Sequence, residues 1–311
     1  MQKTKTARAI SFDTNNEIVQ QVCYDIEKEE LSVTKKKRNL SPNQKQLLKD
    51  KSKLNKYSEK LGGFVHMLCV KNELLFNNIE IDRANIARLI YLSTFIDYNN
   101  RQENLLIKHG KGYKIEPMSR TDIKKVLKLS DTAFKAFLSD LKANNLLFES
   151  NGKYYISQDY FSRGKSNFKD KEYTRIYIDT TRFLYENCTS RQHKQLSYIF
   201  QLVPFMHYEL NILCDNPLEP DVYKLKKLNL TNICEMLGLS TARPNLVKFK
   251  NDIIKFYITI DGEKYYFFTY VLLNTINNVG IRDYFVVNPK IVWGGKDTDV
   301  VKDTIQACFF K

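Results

Sequence analysis

Arg243 and Asn245 stand two residues apart at the head of an amphipathic stretch, ARPNLVKFKNDII, from Ala242 to Ile254. In a DNA major groove, arginine donates two hydrogen bonds to the guanine edge, and asparagine pairs with both groups of the adenine edge. Ser240 and Thr241 come just before the stretch, and Lys248 falls on its polar side. Hydroxyls and amines of this kind reach phosphates as well as bases. A second set lies upstream. Ser130, Thr132, Lys135 and Ser139 mark the polar side of another amphipathic stretch, and Lys124, Lys125 and Lys128 precede it. Lys153 and Lys264 sit on the hairpin patterns that follow the two stretches. Asp131 and Asp140 share the first stretch and work against an anionic ligand.

Patterns for bond-making chemistry are missing. The sequence contains no GxxxxGK[ST] phosphate loop, no GxGxxG and no HExxH. His66, His109, His193 and His207 are far apart in the chain. The paired histidines of a nicking enzyme are therefore lacking. Six cysteines are scattered without a CxxC pair, which argues against a structural zinc and a disulfide framework. The expectation is a non-enzymatic protein with no cofactor and no metal.

The elements that must position the candidate residues begin at Pro117. Ser119 suits a helix N-cap and Asp122 its third position. Ile123, Val126 and Leu127 form one face, and Lys128-Leu129-Ser130 is a short turn. A second helix to about Ala143 buries Phe134, Phe137, Leu138 and Leu141. Two strands follow around Asn151-Gly152, a pair that tolerates positive φ and favours a tight hairpin. Helix, turn, helix and hairpin is the winged helix-turn-helix plan, whose second helix enters the major groove. The plan repeats: Ile123, Leu127, Leu129 and Ser130 recur 110 positions later as Ile233, Leu237, Leu239 and Ser240. Asn151-Gly152 recurs at the same offset as Asp261-Gly262, which predicts a second wing from Phe256 to Phe268. A repeat of this kind decides the architecture. The fold class read from it is α+β, two tandem winged helix-turn-helix modules.

The organisation expected for the 311 residues is a basic N-terminal arm (1–61), a first module (62–164), a second module (173–295) and a C-terminal tail (296–311). Residues 165–172, KSNFKDKE, read as a linker, and Ile10–Asp25 as a small hairpin. Lys35–Lys60 holds ten basic residues against Asp50 and Glu59, which suits a flexible or partly helical arm on a phosphate backbone. Asp82, Asp179 and Ser190 are the expected caps of three further helices. Net charge is +14, which favours a polyanionic partner. No apolar run reaches the ~18 residues of a membrane span, and the N-terminus lacks a signal-peptide core. A cytoplasmic protein with no membrane partner is expected.

The segments TRIYIDTTRFLYEN and HKQLSYIFQLVPF (between Thr174 and Phe205), the late VNPKIVWGG (Val287–Gly295) and the doubled helix-turn-helix resemble tandem winged-helix proteins of phages and plasmids from low-GC bacteria. These are similar to iteron-binding replication initiators, and some are labelled MarR-like regulators. The resemblance covers roughly residues 62–295. It implies two modules gripping one face of a repeated double-stranded DNA site, recruitment of host replication proteins without catalysis, and a dimeric form that represses its own gene. The arm before Gly62 lies outside the family pattern. Three other roles fit the residues. One is a winged-helix transcriptional regulator on palindromic DNA. Another is a module holding replication or transcription proteins. The third is an RNA binder using the arm.

Overall fold

The structure, a computed structural model, describes residues 6–12, 18–25, 30–35, 41–68, 81–98, 104–110, 114–164, 173–273, 282–295 and 298–309. The fold is α+β. The chain divides between Lys49 and Asp50 into two compact units. In the first unit, β1 (Thr6–Phe12), β2 (Ile18–Asp25) and β3 (Glu30–Lys35) form an antiparallel sheet in that order. The segment expected as a hairpin, Ile10–Asp25, contributes to the first two of its strands. Helix α1 (Pro42–Glu59) starts in this unit and its later turns belong to the second. Of the stretch Lys35–Lys60, expected as flexible or partly helical, residues 42–59 are helical. Leu54, Tyr57 and Leu61, spaced three and four apart, give this basic stretch an apolar stripe that packs beside Trp293.

The second unit is built on a four-stranded antiparallel sheet drawn from distant parts of the sequence. Its order is β15 (Val292–Trp293), β10 (Tyr173–Tyr177), β4 (Phe64–Leu68) and β9 (Phe161–Ser162). The central pair runs from Tyr173 opposite Leu68 to Tyr177 opposite Phe64. The segments expected as separate modules, 62–164 and 173–295, are therefore joined edge to edge. They also share one core. Helix α2 (Arg83–Ser93) of the first half packs on α6 (Gln192–Gln201) of the second. Between these two helices in the chain come β5 (Ile107–His109), β6 (Ile115–Pro117), α3 (Arg120–Leu127), α4 (Asp131–Ala143), β7 (Leu147–Ser150), β8 (Lys153–Ile156) and α5 (Ile178–Glu186). After α6 come α7 (Leu230–Met236), α8 (Arg243–Ile253), the hairpin β11 (Tyr257–Ile260) and β12 (Glu263–Tyr266), the pair β13 (Phe268–Leu273) and β14 (Arg282–Val287), and finally α9 (Thr298–Phe309). The expected linker at 165–172 lies outside the described residues.

Hydrogen bonds identify which parts of the halves correspond. Asn104 and Asn211 both hold positive φ, at 62° and 55°. Asn104 Nδ2 donates to Phe161 O at 2.7 Å, and Asn211 Nδ2 to Val292 O at 2.9 Å. Each side chain ties a bulged turn to the strand that closes its half. Leu106 N donates to Tyr154 O and Leu213 N to Phe285 O; Ser157 N donates to Leu146 O and Asn288 N to Phe267 O. In the second half β14 thus takes the bond from Leu213 N that β8 takes from Leu106 N in the first, while β11–β12 keeps the register of β7–β8 at 110 positions.

The hairpin expected from Phe256 to Phe268 is present at the repeat distance. Asp261-Gly262 forms a tight turn, with φ of 52° and 85° against 51° and 70° for Asn151-Gly152. Its strands pair from Tyr257 opposite Tyr266 to Ile260 opposite Glu263, the register of β7 and β8 moved by 110 positions. Phe267 N donates to Phe256 O at 2.8 Å, as Ser157 N donates to Leu146 O at 3.0 Å in the first half. The turn joining β13 to β14 lies outside the described residues.

Two expected caps also move. Helix α5 starts at Ile178 with Tyr177 as N-cap, and Asp179 lies in its first turn. Helix α6 starts after Arg191, and the Thr189 hydroxyl bonds Gln192, so Ser190 caps nothing. Asp82 does cap α2, accepting from Ala84 N at 2.7 Å. Among the described residues no helix is long and apolar enough to cross a membrane.

Candidate nucleic-acid interface

Helix α3 begins with a capping box. The Ser119 side chain accepts from Asp122 N, and Asp122 Oδ2 accepts from Ser119 N at 2.9 Å. Lys108 Nζ adds a bond to Asp122 Oδ2 at 2.8 Å. Partial burial pushes the Asp122 carboxyl up, but the bonds from Lys108 and Ser119 outweigh it and hold the group down at about 2. A carboxyl lowered by folding stabilises the fold above its ordinary value near 4, and the contribution is lost as pH falls through about 2. Asp122→Asn is accordingly expected to be less stable than the parent above about pH 4. The two should converge near pH 2. Urea melts at several pH values check this, and a constant gap down to pH 2 would contradict it.

The turn after α3 ends at Lys128, which holds φ of 52°. The matching residue of the second half, 110 positions on, is Gly238 with φ of 62°. A side chain in this region costs on the order of 1 kcal/mol, which glycine avoids. The first turn keeps an exposed lysine where the backbone favours glycine.

Helix α4 buries Phe134, Phe137, Leu138 and Leu141 and exposes the opposite side. Ser130, Thr132, Lys135 and Ser139 are exposed there, as the sequence predicts. Ser130 is committed to capping, since its Oγ accepts from Ala133 N at 3.3 Å. Ser139 shares a shallow cleft with Asn85 and Arg88 of α2, apart from the helix N-terminus. The two acids on α4 are engaged within the chain. Asp131 Oδ1 bonds Lys124 Nζ at 2.6 Å, and Asp140 Oδ2 accepts from Asn85 Nδ2 at 2.6 Å and from Asp82 N at 3.2 Å. Asp140 therefore ties α4 to the start of α2. Lys124 is neutralised by Asp131, whereas exposed Lys125, Lys135 and Lys153 have no carboxylate partner among the described residues.

In the second half α7 is capped by Asn229 in a reciprocal pair with Asn232. Helix α8 begins at Arg243, later than the repeat implies, so Ser240 and Thr241 lie in the turn before it. Pro244 fits its first turn, where no N–H is needed. Arg243, Asn245 and Lys248 are exposed, with the first two at the helix N-terminus. Lys250, on the other side, lies 5.0 Å from the centre of the Tyr270 ring. Lys264 belongs to the hairpin of β11 and β12 and lies over Tyr257 at 4.7 Å.

Two contacts that sequence reasoning misses position these helices. The Arg83 guanidinium donates to Leu237 O at 2.7 Å and stacks over Tyr198 at 4.8 Å. The Tyr185 hydroxyl donates to Leu127 O at 3.2 Å, while its ring stacks on Tyr91 and on His193. Leu127 and Leu237 are the matching last residues before the two inter-helix turns. Each half thus caps the turn of the other. The partners are 154 and 58 residues apart, so no local pattern announces them.

Burial pushes the Cys188 thiol up to about 12 and the Cys214 thiol up to about 11, which keeps both protonated. Among the described residues no group of three or more His, Cys, Asp or Glu could hold a metal ion. Comparison with known proteins finds no matching family model, no matching curated protein and no matching solved structure.

Proposed function

We propose that this chain is a sequence-specific double-stranded DNA-binding protein of the replication-initiator kind, built as two tandem winged helix-turn-helix modules and without catalysis of its own. The observation carrying the reading is the arrangement of α4 and α8. Each follows a capped helix and a tight turn, each leads into a strand pair, and each leaves a polar and basic face open while its apolar face joins one common core. The engagement of Asp131 and Asp140 within the chain removes the main electrostatic objection. Lys128, kept in a backbone conformation that favours glycine, fits a phosphate contact at the mouth of the groove. In the second module β11–β12 is the wing, and β13–β14 is a further strand pair beside it.

An initiator is favoured over a dimeric regulator by asymmetry. A single chain carries both heads, and only the second carries a further strand pair, β13–β14. Two unlike heads suit a directional site, whereas a repressor dimer suits a palindrome. The test is a pair of variants titrated against a selected duplex and its point-mutated relatives. Arg243→Ala should cost about 1–3 kcal/mol and relax preference at one base position. Lys125→Ala should weaken all sequences alike and lower the salt slope by about one. Uniform loss in both variants would remove Arg243 from base reading.

A further inference from the structure

A groove of about 1180 Å³ lies between α1, α9 and the turn between β11 and β12. Its floor is aliphatic. Leu61, Val301 and Ile305 are buried members of the small core around Trp293, and Ile260 packs against the same core. Its rim is basic. Lys53, Lys56 and Lys60 stand three and four apart along one side of α1, with Lys290 and Lys302 across from them. Two carboxylates stand against these five lysines. Asp261 is at the lip, and Asp299 bridges Lys53 at 3.2 Å and Lys302 at 2.9 Å. Lys56 and Lys60 are exposed and have no carboxylate partner among the described residues.

The floor discriminates between polyanions. Nucleic acid bases need open aromatic faces on which to stack. Tyr57, the sole aromatic lining residue among the described residues, is packed edge-on against Tyr177 at 5.7 Å and Trp293 at 6.2 Å, and its hydroxyl donates to Pro289 O. Aliphatic floors instead accept aliphatic side chains spaced along a helix. Positive charge around such a floor selects carboxylates beside those side chains.

We propose that this groove docks an acidic amphipathic helix of a partner protein, its aliphatic face on Leu61, Val301 and Ile305 and its carboxylates toward Lys56, Lys60 and Lys290. The groove is separate from α4 and α8 and stands whether or not those helices read DNA. The test uses the full chain and a labelled synthetic peptide of leucine and glutamate at helical spacing, beside a scrambled peptide of the same composition. Fluorescence anisotropy reads binding. The chain has one tryptophan, Trp293, one layer beneath the groove, so its emission reports occupancy of this site. The helical peptide should bind with a change in Trp293 emission. Lys56→Glu with Lys60→Glu should weaken it at least about tenfold, whereas Lys56→Arg with Lys60→Arg should retain it. Equal binding of the scrambled peptide, or indifference to the charge reversal, would overturn the proposal. So would a charge-reversed variant that loses duplex DNA affinity as steeply as peptide affinity, because the lysines would then belong to a nucleic-acid surface.

Discussion

Phe137→Ala is expected to destabilise the chain from residue 50 onward by about 3–5 kcal/mol, and the loss should be visible at Trp293, in the other half of the molecule. Phe137 is fully buried on α4 and belongs to the core that also holds Ile199, Phe200 and Phe285 of the second half. Truncating it removes the ring's transfer energy and leaves a cavity that the packed helices α2 and α6 cannot close without moving. Trp293 is itself buried, on β15, in the sheet that joins the halves. If the halves unfold together, the urea midpoint read by Trp293 emission falls by roughly 1 M or more. An unchanged Trp293 midpoint, with a loss confined to other probes, would mean that the modules are independent bodies and that the common core does not couple them.

Inserting about five base pairs, half of the ~10.5 base-pair turn, at the centre of the DNA site is expected to cut affinity by roughly a hundredfold or more. The reason lies in the two reciprocal contacts. Arg83 holds the turn before α8 and Tyr185 holds the turn before α4, each from the opposite half. The central strands β4 and β10 pair over five residues and fix the halves again. Heads restrained in this way cannot swing to follow a half-site moved to the opposite face of the duplex. Removing Arg83 and Tyr185 together should soften the penalty, because the heads would then tolerate more than one spacing. Gel-shift titration on duplexes with stepped insertions measures this directly. Equal affinity for all spacings would show that one head alone carries the binding.

The stretch from α3 to β8 is legible in the sequence because everything that shapes it is local. Ser119 and Asp122 cap each other three residues apart, Ser130 caps the next helix, and the buried stripe of α4 follows the helical period. The second half is less so. Its hairpin is legible, because it repeats the first turn at 110 positions, but the strand pair β13–β14 that follows is not. That pair is tied in by long-range bonds such as Leu213 N to Phe285 O. Helix α1 is concealed by its charge, since its lysines dominate composition while only Leu54, Tyr57 and Leu61 mark the buried stripe. The sheet of β15, β10, β4 and β9 pairs residues about a hundred positions apart and has no local signature. For the candidate site, residue types and exposure are legible at Arg243, Asn245, Lys125 and Lys135. The engagement of Lys124 by Asp131 comes only from the folded arrangement, whereas Lys264 stands on the hairpin where the sequence puts it.

The measurement bearing most directly on the central claim is selection of bound duplexes from a random-sequence pool by the full chain, with Arg243→Ala in parallel. Two tandem heads on one core predict enrichment of a single asymmetric site about two helical turns long, with Arg243→Ala blurring one position of one half. Recovery of no preferred sequence, with only weak and salt-sensitive retention of the pool, would contradict the account. It would leave α4 and α8 as surfaces for something other than DNA.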